Sequence, residues 1–122
     1  MVRTIWLACT AMIFVVPLAG CASHRIEGVH VRPSSQSAAV LMTRAQDVFD
    51  QHGLRSRTSE GCMRARHGDD NGTSAWVCVS EEQLTDGRRQ IEFHYKVWSY
   101  RSDDGALVEQ VHEGLRAIGT AD

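Results

Sequence analysis

Cys62 and Cys78 stand eight residues either side of Asp70, the centre of the turn-forming cluster Gly68-Asp69-Asp70-Asn71-Gly72. A cluster of this kind between two alternating runs is a hairpin signature, because Gly, Asn and Asp tolerate the backbone angles that reverse a strand. On one arm Gly61, Met63, Ala65 and His67 alternate with Glu60, Cys62, Arg64 and Arg66; on the other Val77 and Val79 alternate with Trp76, Cys78 and Ser80. Folding the chain at Asp70 sets Cys62 opposite Cys78 and Arg64 opposite Trp76. Directly opposed residues on antiparallel strands lie ~5 Å apart, a separation that a disulfide spans. The pair therefore demands antiparallel sheet.

The remaining periodicities extend that sheet and cover it. Arg89 to Tyr100 alternates as a strand, with Ile91, Phe93, Tyr95 and Val97 on one face and Glu92, His94, Lys96, Trp98 and Tyr100 on the other. Asp86-Gly87 supplies the preceding turn. Matching apolar faces places Val77 opposite Val97 or its neighbours by two, and the first of these registers brings Trp76 to Trp98. Between Ser37 and His52 the residues Val40, Leu41, Ala45, Val48 and Phe49 recur at helical spacing, with serine at the N-cap and Gly53 at the C-cap. Leu54 to Thr58 reads ambiguously, as the start of a long first strand. A second helix begins at Ser102-Asp103-Asp104-Gly105, carries the stripe Leu107, Val108, Val111, Leu115 and Ile118, and stops at Gly119. The expected fold is α+β in the order α-β-β-β-α: a three-stranded antiparallel meander with two helices on one face.

The amino-terminal residues are of another kind. Arg3 precedes the apolar run Ile5 to Val16, which is too short to cross a bilayer at ~20 residues per span, and Pro17 then leads to Leu18-Ala19-Gly20-Cys21. These residues resemble the signal peptide and lipobox of bacterial lipoproteins: an aliphatic residue, two small residues and a cysteine. The resemblance implies cleavage between Gly20 and Cys21, a diacylglyceryl group (palmitate and related chains) on the Cys21 sulfur, and acylation of the new amine. Several acyl chains, each CH₂ contributing ~0.8 kcal/mol when buried, give stable anchoring. In that family Asp after the modified cysteine favours inner-membrane retention; Ala22 and Ser23 stand here, so the expected location is the inner leaflet of the outer membrane, facing the periplasm. The expected organisation is a signal peptide over 1–20, a lipidated cysteine and flexible tether over 21–35, and one small domain over 36–122.

Processing changes the accounts of charge and sulfur. Removal of Arg3 leaves twelve basic against fifteen acidic side chains, and the resulting net charge near −3 argues against general nucleic-acid binding. Cys9 departs with the signal and Cys21 takes lipid, so Cys62 and Cys78 remain to pair in an oxidising compartment. The six histidines, at positions 24, 30, 52, 67, 94 and 112, show no metal-binding spacing. In Asp69-Asp70-Asn71-Gly72 the residue six after the glycine is Cys78 rather than the glutamate of a calcium loop. There is no Gly-x-Ser-x-Gly, phosphate loop or dinucleotide fingerprint, and the adjacent pairs Glu81-Glu82 and Asp103-Asp104 diverge along the backbone. No metal, no cofactor and no catalysis are expected.

What remains is the sheet face away from the helices. Arg64, Arg66, Trp76, His94, Lys96, Trp98 and Tyr100 fall there, around the cysteine pair. Aromatic residues and arginine are enriched where protein surfaces meet partners. The expected function is a non-catalytic envelope lipoprotein presenting a protein-binding domain, accessory to an assembly or secretion complex. The alternatives are a periplasmic inhibitor or immunity-like lipoprotein that uses the His67–Gly72 loop against a lytic enzyme, and a small envelope enzyme. Homo-oligomerisation is left open.

Overall fold

The computed structural model of the protein describes residues 23–68 and 71–121. Cys21, Gly20 and the expected signal peptide lie outside the described residues, as do Asp69 and Asp70 at the centre of the hairpin turn.

Strand β1 spans His24–Ser34, helix α1 Ala38–Gln51, β2 Arg55–Ser59, β3 Cys62–Arg66, β4 Ser74–Gln83 and β5 Arg89–Ser99; a 3₁₀ turn at Ser102–Asp104 leads into helix α2, Gly105–Thr120. The five strands form one antiparallel sheet in the order β1-β5-β4-β3-β2. The expected three-stranded meander is thus corrected to five strands, and the order of elements becomes β-α-β-β-β-β-α.

Both additions have physical causes that hydrophobic periodicity does not report. Strand β1 replaces most of the expected 21–35 tether. Its helix-side positions are His24, Ile26, Gly28, His30 and Arg32, so its inward face lacks an apolar pattern. It is held instead by an eleven-residue ladder along the open edge of β5, from His24 opposite Ser99 to Ser34 opposite Arg89. Pro33 does not end the strand, because an edge strand tolerates a residue without an N–H. Strand β2 separates from β3 at Glu60-Gly61, whose φ values of 50° and 80° form a two-residue turn with both centres in the left-handed region. That turn divides the expected long first strand into two.

The helices cap as their sequences require. Ser37 Oγ accepts the Val40 N–H at 3.3 Å. At the other end of α1, Gly53 at φ 78° donates to the Asp50 carbonyl while Leu54 joins His52 in donating to that of Phe49, so the last carbonyls are satisfied and Phe49 and Leu54 are brought into the core together. Gly119 does not end α2. It lies buried inside the helix, where a Cβ would stand 2.5 Å from the His30 ring and 2.9 Å from that of Phe93. Its missing side chain is what lets the last turn of α2 close on β1 and β5.

Both helices cover the same face of the sheet. Leu41, Ala45 and Phe49 of α1 and Val108, Val111, Leu115 and Ile118 of α2 form a single core with Met63, Ala65, Ala75, Val77, Val79, Ile91, Phe93, Tyr95 and Val97. The amino-terminal end is fastened by polar bonds. Asp104 Oδ2 accepts from Ser99 Oγ at 2.7 Å and Thr73 Oγ1 at 3.0 Å, and both donor residues are fully buried. These bonds, the first above all, hold the Asp104 carboxyl below the usual carboxylate range. His24 Nε2 donates to the Ser102 carbonyl and Ser23 Oγ to that of Tyr100, fixing the start of β1 against the end of β5.

Candidate functional site

The sheet face opposite the helices is organised in cross-strand rows, each read directly from the register. The first row, nearest the start of β1, is Arg25, Trp98, Ser74, Arg66 and Arg55, and the second is Glu27, Lys96, Trp76, Arg64 and Arg57. A third row holds Val29, His94, Cys78, Cys62 and Ser59, and a fourth Val31, Glu92 and Ser80. The expected set Arg64, Trp76, His94, Lys96 and Trp98 therefore occupies three adjacent rows. Tyr100 follows the end of β5 and is exposed.

Of the registers that matching the apolar faces allows, the structure takes one displaced by two residues from the first. Val77 stands opposite Tyr95, so Trp76 meets Lys96 while Trp98 meets Ser74. The two indoles lie in separate rows. Cys62 and Cys78 are paired as the turn implied, with Cα atoms 4.0 Å apart, at disulfide distance.

Trp76 is half-buried by its neighbours. Lys96 Nζ lies 5.5 Å from its ring centroid, a cation–π contact, and His94 meets it edge-on with centroids 4.9 Å apart. His94 Nε2 donates in turn to Glu27 Oε2 at 3.2 Å, and this bond holds the Glu27 carboxyl below the usual range. The chain Glu27, His94, Trp76, Lys96 fixes the rotamers of four side chains at the centre of the face. By contrast Val29 and Val31, on the edge strand, are 51% and 54% exposed. They were not legible as site residues, because their place on this face depends on the ladder that pairs β1 with the distant β5.

Arg55 and Arg57, which β2 sets beside the expected Arg64 and Arg66, are the second feature hidden from sequence. A groove of ≈ 800 Å³ at the β2–β3 end of the face is lined by Arg55, Arg57, Arg64 and Arg66 together with Ser74 and Trp98. Among the described residues no carboxylate pairs with Arg55, Arg57 or Arg64. The alternation Arg55, Arg57 on β2 and Arg64, Arg66 on β3 could have suggested such a cluster, had the turn at Glu60-Gly61 been recognised.

Groups that could hold a metal lie elsewhere. On α2, Glu109, His112 and Glu113 place one ligating atom each within 4.8 Å of one another. Arg116 already bonds Glu113 at 2.7 Å, so the trio forms part of a surface ion-pair network.

Between β1 and α2, His30 stacks on Tyr95 at 5.9 Å, and its Nε2 is buried without a hydrogen-bond partner. Burial pushes the His30 imidazole below its ordinary 6.5, with help from the positive charges of Arg32 and Arg116. The unfolded chain then binds more protons than the folded one below pH 6.5, so stability is full above that value and falls as pH drops through the window beneath it. We expect the urea midpoint to decline between pH 7.5 and 5.5, and His30→Gln to flatten the decline. An unchanged slope in the variant would assign it to other groups.

No model of a known protein family matches the chain, and a comparison with curated proteins finds no relative.

Proposed function

We propose that this chain is a lipid-anchored envelope protein that uses the helix-free face of its sheet as a non-catalytic platform for a partner protein. The observation that carries the reading is the one-sidedness of the fold: both helices pack on one face, while the other bears Trp76 in a fixed network beside the exposed Val29 and Val31. An aromatic anchor whose rotamer is already set loses little conformational freedom when a partner covers it. The Leu18-Ala19-Gly20-Cys21 motif supports the anchor.

Two measurements test the two halves. A palmitate analogue fed to expressing cells should label the wild type and leave Cys21→Ser unlabelled; equal labelling removes the anchor. For the platform, the Trp76→Ala protein, shown to be folded by circular dichroism, should lose the envelope partner recovered with the wild type. Truncating a buried anchor typically costs ~2 kcal/mol or more, about a thirtyfold loss of affinity. Undiminished recovery with Trp76→Ala removes this face from binding.

A further inference from the structure

We infer that the first two rows of the open face form a docking surface for the phosphate headgroups of an anionic membrane, and that they seat the domain against the leaflet to which it is anchored. The inference rests on the proposed acylation of Cys21 for which membrane is reached, while the surface itself rests on the fold.

Charge on this molecule is segregated. Arg25, Arg55, Arg57, Arg64, Arg66 and Lys96 occupy two adjacent rows, half of the twelve basic side chains that follow Cys21, although those residues carry fifteen acidic groups. Glu27 is the one carboxylate in these rows among the described residues, and His94 already bonds it. Four inter-strand spacings of ~4.8 Å spread the first row over ~19 Å, enough for several headgroups. Trp98 stands within that row, with an apolar body and a polar N–H suited to a membrane–water boundary. Arginine's planar fork matches phosphate oxygens two at a time.

The position of the rows selects a membrane over a soluble acidic partner. Arg25 is the first outward-facing residue of β1 and lies four residues after Cys21, so the chain between them spans at most ~15 Å. The expected long tether would have let the domain stand ~40 Å away. The ladder of β1 removes that slack and leaves the basic end of the sheet near the surface, against a Debye length of ~8 Å at physiological ionic strength. At such an effective concentration even weak phosphate contacts orient the domain. Within these rows the basic side chains take the headgroups, while Trp76, at the inner border of the docked area, and Val29 and Val31 in the rows beyond it are left to the partner.

The test uses the chain beginning at Ala22, which lacks any lipid and retains every core residue, and measures co-sedimentation with vesicles. Binding is expected to vesicles containing phosphatidylglycerol and not to pure phosphatidylcholine, and to weaken as salt rises. Each arginine near an anionic surface contributes about fivefold to partitioning, so Arg55→Gln/Arg57→Gln/Arg64→Gln should reduce it about a hundredfold. Arg116→Gln, on the far side of α2, should change nothing. Displacement by millimolar inorganic phosphate would show a free-phosphate site and overturn the membrane assignment. Binding to polyglutamate in preference to the vesicles would overturn it in favour of an acidic protein. Undiminished vesicle binding by the triple variant would overturn the surface itself. Because this chain has no Cys21, its binding is independent of the labelling result, and either reading can fail alone.

Discussion

Phe49→Ala is expected to cost about 3–5 kcal/mol of folding stability, a large part of the ~5–15 kcal/mol available to an ordinary domain. Phe49 is fully buried and sits where α1 stops. Its ring fills the core between α1 and the sheet, and its carbonyl accepts the Leu54 N–H that turns the chain towards β2. Truncation leaves a cavity at a site that cannot collapse, since the closing bonds at Gly53 and Leu54 hold the helix end in place. Urea denaturation at pH 7.5 measures the loss. A change under 1 kcal/mol would mean that the helix end relaxes into the space, and that α1 is less firmly tied to the sheet than its cap implies.

The second large effect is expected from the cysteine pair. With sixteen residues of sequence separation, closure of the Cys62–Cys78 loop stabilises the fold by about 3 kcal/mol through the entropy removed from the unfolded chain. The double variant Cys62→Ser/Cys78→Ser should therefore melt about 10–20 °C lower. Reductant should lower the wild-type midpoint to the same value and leave the variant unchanged. Equal midpoints for wild type and variant would show that strand pairing alone fixes the hairpin. The bridge also bears on binding, because it ties β3 to β4 in the row next to Trp76, and β3 carries Arg64 and Arg66.

These two effects divide the domain between a core common to helices and sheet and a covalent clasp between β3 and β4 inside the sheet. The open face depends on both. Its central network of Glu27, His94, Trp76 and Lys96 draws on β1, β5 and β4, so it exists only while the edge ladder of β1 is intact.

The sequence by itself determined what local periodicity and turn chemistry control. Ser37 and Gly53 delimit α1, the alternation from Arg89 runs the length of β5, and the position of Asp70 between two cysteines sets the β3–β4 register to the residue. Each is settled within about twenty residues, by side chains whose own pattern states which face is buried. Tertiary structure alone decided the rest. Strand β1 has a polar and glycine-bearing inward face and is recruited by the unpaired backbone of β5, a partner some sixty residues away, so local pattern sets neither its length nor its place in the sheet. Gly119 reads in sequence as a helix stop, yet the helix continues, because the close approach of His30 and Phe93 requires a residue without a side chain there. Net charge, a sum over the chain, conceals the basic rows in the same way. Only strand order brings Arg25, Arg55 and Lys96 to one end of one face, since backbone pairing between distant segments, rather than hydrophobic pattern, sets that order.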